Sequence, residues 1–231
     1  MSVEGSGSHG ETNGEEGMEL SDDEVFYSSD RAKAFIDAVV AIAMTLLILP
    51  LLETITSTVE AHGEHKLNGA QWFHDNYPMI VNFLISFAVI AIFWINHHRM
   101  FAGVRRVTSV LLWINVAWLL TIVWLPVATA MTGVGSSGDP IIVVSYIGTM
   151  VLTSLAAFGQ ELFLRAHPRL HDIPPDRLAR GLGASLSMCV LFGASLAIAL
   201  LVPEIGYYAL LLLFATSSLR GVFGRMFRPR R

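Results

Sequence analysis

Long apolar runs alternate with short polar segments along the chain beyond residue 30. A helix needs about 20 such residues to cross the hydrocarbon core of a bilayer, and none of the runs shows the period-two alternation of a membrane strand. The pattern therefore predicts an all-α membrane protein with six transmembrane helices per chain, the third bent or ended near Pro126. The predicted spans are residues 34–52, 79–96, 107–130, 141–164, 181–202 and 205–222.

The composition agrees with this pattern. Hydrophobic residues make up 53% of the 231 positions and charged residues only 15%, whereas a soluble domain usually carries about 25% charged residues. A soluble core in a chain of this length could not bury so much apolar surface. The composition excludes an ordinary soluble enzyme and a disordered protein.

The charges are unevenly distributed, and this divides the chain. Residues 1–30 hold nine acids and no lysine or arginine, a composition that predicts a disordered acidic tail. We expect a six-helix transmembrane domain at 31–223 and a basic C-terminus at 224–231. In the six-span arrangement, every lysine and arginine except Lys66 lies on the same side of the membrane as the N-terminus. The positive-inside rule then predicts that both termini and the tail are cytoplasmic.

Catalytic motifs are missing from the sequence. It contains no phosphate-binding GxxxxGK[ST] loop, no HExxH and no GxSxG. His62 and His65 have an HxxH spacing, which we interpret as solvated loop histidines, not a metal site. The arginines at span ends lack the interleaved aromatic residues of a nucleic-acid site, so we expect them to meet lipid headgroups. We expect no enzyme activity, no cofactor, no fixed metal and no nucleic-acid partner.

Placing an ionisable side chain inside a membrane span costs free energy, so such residues are a better guide to function than the missing motifs. We interpret Glu161 as an interfacial carboxylate beside Arg165. Asp37 has two readings that stay open: a partner of Lys33, or the acceptor of donors near the end of the second span. A structural network is favoured over a proton relay. The candidate donors on the second span are Trp94, Asn96, His97 and His98.

One face of the first span is almost wholly aliphatic. At 100° per residue its members lie within about 60° of one line, and Asp37 projects on the opposite side. Periodicity alone favours a lipid-facing or packing surface. The face comprises Arg31, Phe35, Ala38, Ile42, Thr45, Leu46 and Leu49.

The same segment carries a family resemblance. An arginine, three residues, then Phe35-Ile36-Asp37, with Ala41-Ile42 and Thr45-Leu46 further along, resembles the first helix of the transmembrane protein 175 family. The second-span ending, residues 93–101, resembles the corresponding ending in that family. Members are potassium-permeable channels. One departure is that Ile36 stands where the family has serine, so a serine hydrogen bond is lost.

The resemblance implies more than the periodicity does. It implies a homotetramer in the plasma membrane, like the bacterial form, with four first helices around a central pore for K+ and other monovalent cations. It also implies a hydrophobic constriction and a modest preference for K+ over Na+. The implied pore-lining residues are Ile42, Thr45, Leu46 and Leu49. The implied structural polar network comprises Arg31, Asp37, Trp94, Asn96 and His98.

Two other functions, a carrier and a membrane-embedded enzyme, are alternatives to a channel. A secondary transporter or proton-coupled carrier would favour internal repeats, broken helices and a polar site at mid-membrane, and the sequence shows no internal repeat. A membrane-embedded enzyme would need two catalytic side chains at one depth, which only Asp37 with His97 or His98 provides. The channel remains the favoured prediction.

Overall fold

The computed structural model describes residues 27–62, 68–134 and 139–202. Apart from two strands of two residues each, the regular structure of these ranges is helical, as predicted. Within these ranges, five segments are long and apolar enough to cross a membrane. The predicted sixth span at 205–222, residues 1–26 of the predicted tail and the basic C-terminus at 224–231 lie outside the described residues.

The first spanning segment, Ser29–Glu60, contains two helices, and the fourth, Pro140–Ala166, contains two joined by a π-helical turn. The others are single helices, and a short helix precedes the second. In chain order the elements are β1 (Tyr27–Ser28), α1 (Ser29–Leu46), α2 (Leu49–His62), α3 (Gly69–Asp75), α4 (Tyr77–Phe101), β2 (Arg106–Val107), α5 (Ser109–Val134), α6 (Pro140–Val143), the π-helical turn (Val144–Gly148), α7 (Thr149–Ala166), a 3-10 turn (Pro168–Leu170) and α8 (Pro175–Leu201).

The first span is interrupted, which corrects the prediction of one continuous helix. α1 ends at Leu46 and α2 begins at Leu49. Pro50 explains the break, because it has no N–H to donate to the Leu46 carbonyl and its ring crowds that carbonyl. Leu49 therefore does not continue the α1 face that the periodicity placed it on. Pro126 has no such effect, since α5 runs through it to Val134.

The core lies where α5 meets α1, α4 and α7. α5 is apolar around its whole circumference, as expected of a membrane-spanning helix; one side of it is buried, and the other, which includes Trp113 and Leu120, is exposed. Its Trp118 and Ile122 are completely buried. α1 contributes one side to this core, through residues that recur at three- and four-residue intervals. They are Ile36, Val40, Ala43 and Leu47.

We call one end of the bundle the basic end, because every lysine and arginine of the described residues lies there. α1, α5 and α8 begin at this end, and α4 and α7 finish there. The predicted tail boundary at residue 30 falls inside this structure. Tyr27–Ser28 pairs antiparallel with Arg106–Val107, and α1 starts at Ser29. Backbone pairing thus orders the last four residues that the composition assigned to the tail.

Hydrogen bonds to main-chain carbonyls and a main-chain bridge join the start of α1 to two connections at the basic end, and we name this set of contacts the basic-end clamp. The Ser29 hydroxyl donates to the Val104 carbonyl at 2.9 Å. Val104 in turn forms an antiparallel bridge with His171 in the α7–α8 connection. The clamp links the start of α1 to the α4–α5 and α7–α8 connections. Two further bonds of 2.9 Å complete it, from Arg105 N to Leu170 O and from Asp172 N to Gly103 O.

Gly103 is the tightest point of the clamp. A Cβ on this residue would lie 2.6 Å from the Ile173 side chain. We expect Gly103→Ala to cost about 1–3 kcal/mol, the usual range for overpacking. Thermal unfolding of the purified protein in detergent measures the loss. Gly159→Ala is the matched control, because nothing lies within 4 Å of its Cβ position, and it should unfold at or above the wild-type temperature. Equal unfolding temperatures for the two variants would contradict the contact.

Candidate functional site

α1 has two chemically similar but differently placed faces. Phe35 and Ile42 are 61% and 59% exposed, whereas Val40 and Ala43 are 1% exposed. We call the exposed set the open α1 face. It comprises Phe35, Ala38, Ile42, Thr45 and Leu46. Three of the four predicted pore-lining residues are on it. The fourth, Leu49, is also exposed but belongs to α2.

Thr45 supplies the one hydroxyl of the open α1 face. Its Oγ1 donates to the Ile42 carbonyl at 2.7 Å. This local bond uses the hydrogen and fixes the rotamer, as threonine commonly does within a helix. The hydroxyl oxygen keeps acceptor capacity and stays at the exposed surface. An apolar face with one oxygen per helix is thereby formed.

Asp37 ties the opposite side of α1 to α4. Trp94 Nε1 donates to Asp37 Oδ1 at 2.8 Å, and His98 Nδ1 lies 3.7 Å from Asp37 Oδ2. Trp94 and His98 are one turn apart on α4, with ring centroids separated by 5.5 Å. One carboxylate oxygen thus accepts a hydrogen bond from Trp94, and the other faces the His98 ring of the same helix. The arrangement anchors α1 to α4 near the basic end.

Two members of the predicted network are not part of it. Arg31 lies about 120° around α1 from Asp37, is exposed, and makes no hydrogen bond or ion pair with the described residues. Asn96 lies about 160° around α4 from Trp94, and its Nδ2 is 4.0 Å from Met188 Sδ on α8. The family resemblance implied Arg31, and depth in the membrane suggested Asn96, but neither argument fixes direction around a helix.

The two remaining alternatives for this region are also resolved. Lys33 lies 3.6 Å from Asp30 and 3.4 Å from the Val104 carbonyl, so its contacts are at the basic end and not with Asp37. Ile36, at the position of the family serine, is 3% exposed and packs in the core. An aliphatic side chain there fits its surroundings, and the lost hydroxyl leaves Asp37 with its donors on α4.

A second polar cluster was not predicted. His97 points into the bundle, where Nε2 lies 2.8 Å from Asn115 Oδ1, and Gln160 Nε2 donates to the same oxygen at 3.3 Å. Since Asn115 Oδ1 only accepts, His97 Nε2 carries the hydrogen in this contact. The His97 ring stacks between Phe101 and Trp118 at 4.6 and 4.2 Å. The sequence signal for this cluster is a single amide side chain in each of two apolar spans, Asn115 in the third and Gln160 in the fourth.

Glu161 is not interfacial, contrary to its sequence interpretation. It is 6% exposed, and Ser185 Oγ on α8 donates to its Oε2 at 2.6 Å. Gly181 makes room for it, because a Cβ there would lie 2.7 Å from Glu161 Oε1. Proximity to Arg165 along the helix suggested the interface. The small residues on α8 admit the carboxylate into the contact between the helices.

Hydroxyl groups connect the helices away from the basic end. Ser86 Oγ on α4 lies 2.8 Å from the Tyr146 hydroxyl, and Thr129 Oγ1 on α5 donates to Ser86 at 2.9 Å. Asn82 Nδ2 donates to Thr132 Oγ1 at 3.1 Å one turn further along α4. Tyr146 belongs to the π-helical turn. These bonds fix α4, α5 and the fourth span to one another.

None of the described residues forms a group of three or more histidine, cysteine, aspartate or glutamate side chains suited to a metal. His65 lies outside the described residues, as does the side chain of His62. The candidate functional site is the open α1 face, on the helix that Asp37 anchors to α4.

Part of the chain is similar to known channel proteins. Residues 31–126 match the profile of the family described as endosomal/lysosomal potassium channel TMEM175, which includes α1 and α4. A Streptomyces collinus protein named a potassium channel is 39% identical over 103 residues, covering 45% of this chain and 47% of that protein. A Chamaesiphon minutus protein, also named a potassium channel, is 36% identical over 101 residues, with coverage of 44% and 47%.

A third relative, the Gallus gallus protein named endosomal/lysosomal proton channel TMEM175, is 33% identical over 107 residues, or 46% of this chain and 21% of that one. The chain thus spans about half the length of the bacterial relatives it matches. Among solved structures, a crystal structure of a variant of the potassium channel MtTMEM175, bound to a Nanobody-MBP fusion protein, has a TM-score of 0.59 and 19% identity. It covers 90% of this chain and 97% of that one, which indicates the same fold.

A double-mutant cycle tests the Asp37–Trp94 bond. Asp37→Ala leaves the Trp94 N–H without its acceptor, and Trp94→Phe removes the donor while keeping an aromatic ring. We expect a coupling energy of about 0.6–2 kcal/mol, since polar pairs in membrane bundles couple at the lower value and charged hydrogen bonds at the higher one. Thermal unfolding of the wild type, both single variants and the double variant gives this energy. Asp37→Asn should be milder than Asp37→Ala because it keeps an acceptor. Strict additivity of the two changes would contradict the bond.

Proposed function

We propose that this chain, whose residues 31–126 belong to the TMEM175 family, forms a potassium-permeable cation channel lined by copies of α1. The open α1 face is the observation that carries the proposal. It is apolar and exposed in the single chain, while the reverse side of the same helix is packed in the core and anchored through Asp37. The family profile matches residues 31–126, a range that contains this helix, and two bacterial relatives of the chain are named potassium channels.

We propose a homotetramer as the functional assembly. Four copies arranged around an axis would bring the open α1 faces together, as the family resemblance implies. The anchoring of α1 by α4 and the basic-end clamp supports this geometry, because both hold the helix from its other side. The remaining exposed apolar surface of the spanning helices then faces lipid.

The constriction that we propose is a ring of Ile42 side chains. Such a ring offers no oxygen to replace the water around an ion, so passage requires partial dehydration and the ring closes when it dewets. Dehydration costs less for the larger K+ than for Na+, which gives a modest preference for K+. Thr45 lies one turn away and presents an oxygen at the next level. No cofactor, fixed metal or enzymatic step is part of this mechanism.

We place the basic end at the cytoplasmic surface of the plasma membrane. The positive-inside rule supports this orientation, since all lysines and arginines of the described residues share that end. Both termini are then cytoplasmic in the six-span arrangement. The first residues of α1 form the cytoplasmic entrance of the pore.

The alternative function is a secondary transporter or proton-coupled carrier. A vertebrate relative is named a proton channel, so the identity of the permeant ion has to be tested separately from the transport mechanism. Asp37 and His98, at 3.7 Å, form a titratable pair beside α1 on which a carrier could depend. The two functions differ in the kinetics of ion movement.

Purified protein in planar bilayers distinguishes them. A channel gives ohmic single-channel events, and a K+ gradient should move the reversal potential towards the K+ equilibrium potential. Slow, saturable flux without unitary events would instead support the carrier. A reversal potential that follows a pH gradient in symmetrical K+ would show that protons are the main permeant ion. Mass measurement of the detergent-solubilised protein tests the tetramer.

The constriction is tested by Ile42→Asn. The amides supply hydrogen-bonding groups at the proposed dewetting point, so we expect a roughly two- to ten-fold larger current and a weaker preference for K+ over Na+. Ile92→Asn is the matched control. Ile92 is also an exposed isoleucine, 46% exposed, but it lies on α4. Equal currents from the two variants, with assembly intact, would contradict the assignment of Ile42.

Thr45→Val tests the neighbouring ring separately. Valine keeps the shape of threonine and removes its hydroxyl oxygen. We expect the K+ over Na+ preference to fall, with a smaller change in current than in Ile42→Asn. Reversal potentials under mixed K+ and Na+ gradients provide the measurement. The matched control is Thr56→Val, which removes an exposed hydroxyl that donates to the Leu52 carbonyl on α2. An equal loss of selectivity in the control would exclude a specific role for Thr45.

A further inference from the structure

A cleft enters the bundle at the basic end, between the last turn of α7 and the first turns of α8. Its volume is about 290 Å³. The floor is apolar, and its residues are all less than one-tenth exposed, so the cleft penetrates between the helices. These residues are Ile173, Leu178, Ala179 and Leu182.

The chain segment that forms the cleft carries several arginines. Arg165 lines it directly, and three more exposed arginines lie in the same segment. Of the two acids there, Asp172 is paired with Arg105 of the α4–α5 connection. The segment therefore has an excess of positive charge beside an apolar floor. Its arginines are Arg165, Arg169, Arg177 and Arg180.

We infer that this cleft binds an anionic phospholipid, with one acyl chain on the apolar floor and the phosphate at Arg165. The cleft lies at the ends of two spanning helices, which is the depth of lipid headgroups, where clustered arginines attract anionic lipid. A free phosphate ion would leave the apolar floor unused. A neutral lipid would not complement the excess positive charge of the segment.

The bound lipid contacts the basic-end clamp. His171 lines the cleft, and both its ring nitrogens are engaged: Nε2 with the Leu164 carbonyl at 3.0 Å and Nδ1 with the Ile173 N–H at 3.1 Å. His171 also bridges to Val104, which accepts the Ser29 hydrogen bond at the start of α1. Lipid in the cleft therefore stabilises the connection that holds the first turn of α1. Any effect of the lipid on current rests on the proposed channel function.

Native mass spectrometry of the full-length protein tests the site. The probes are phosphatidylglycerol and phosphatidylcholine with identical acyl chains. We expect wild type to retain phosphatidylglycerol preferentially, and Arg165→Gln to lower that preference about five-fold, the effect of one arginine facing anionic lipid. Arg99→Gln is the matched control, an exposed arginine in the last turn of α4, and should keep the preference. Equal losses in both variants would reduce the effect to general surface charge and overturn the site.

A second variant tests the floor without changing any charge. Ala179→Phe fills the cleft and should abolish preferential retention of phosphatidylglycerol. Ala179→Leu serves the same purpose if the larger side chain prevents assembly. Unchanged retention in an assembled variant would overturn the site, as would competition by millimolar inorganic phosphate, which would indicate an ion site. Because binding is measured without current, the result is independent of the proposed channel function.

Discussion

A half-buried carboxylate on an apolar helix needs polar partners, and the partners of Asp37 among the described residues lie on one neighbouring helix. Trp94 and His98 are one turn apart on α4, so they meet the two oxygens of the carboxylate from the same side. This fixes which way α1 faces. Once Asp37 and the apolar residues Ile36, Val40 and Ala43 turn inward, Ile42 and Thr45 can only point outward. The direction of the open α1 face follows from the placement of one half-buried carboxylate and of the apolar residues beside it.

The same requirement organises the rest of the bundle. Lipid offers no hydrogen bonds, so polar side chains within a span gain stability by pairing with a neighbouring helix or with their own backbone. Asn115 joins α4 to α7 through His97 and Gln160, while Ser185 joins α8 to Glu161. Each pair fixes a rotation and a depth, which apolar packing alone leaves weakly specified. The helices behind α1 thus form a frame with defined register.

Sequence reasoning found the spans and the face of α1 because both depend on periodicities that the chain displays directly. It found the Asp37 partners on α4 because Trp94 and His98 share its depth. It failed for Arg31 and Asn96, since depth does not fix direction around a helix until the neighbouring helices are placed. It missed Asn115 and Gln160 for a related reason: an uncharged amide in an apolar run has no visible partner along its own helix. Glu161 was placed at an interface because Gly181 and Ser185, which receive it, are distant in sequence.

Because of the break at Pro50, the rotation of α2 about its own axis is independent of the rotation of α1. α1 and α2 have their own hydrogen-bond ladders, joined by the turn at Leu47 and Ile48. In a continuous helix, one inserted or deleted residue would rotate everything beyond it by about 100°. Here such a change in α2 would be absorbed at the turn and leave the direction of Ile42 untouched. Changes in the length of α2 therefore leave the open α1 face in place, whereas one residue inserted or deleted between Asp37 and Thr45 would rotate part of that face by about 100° relative to Asp37.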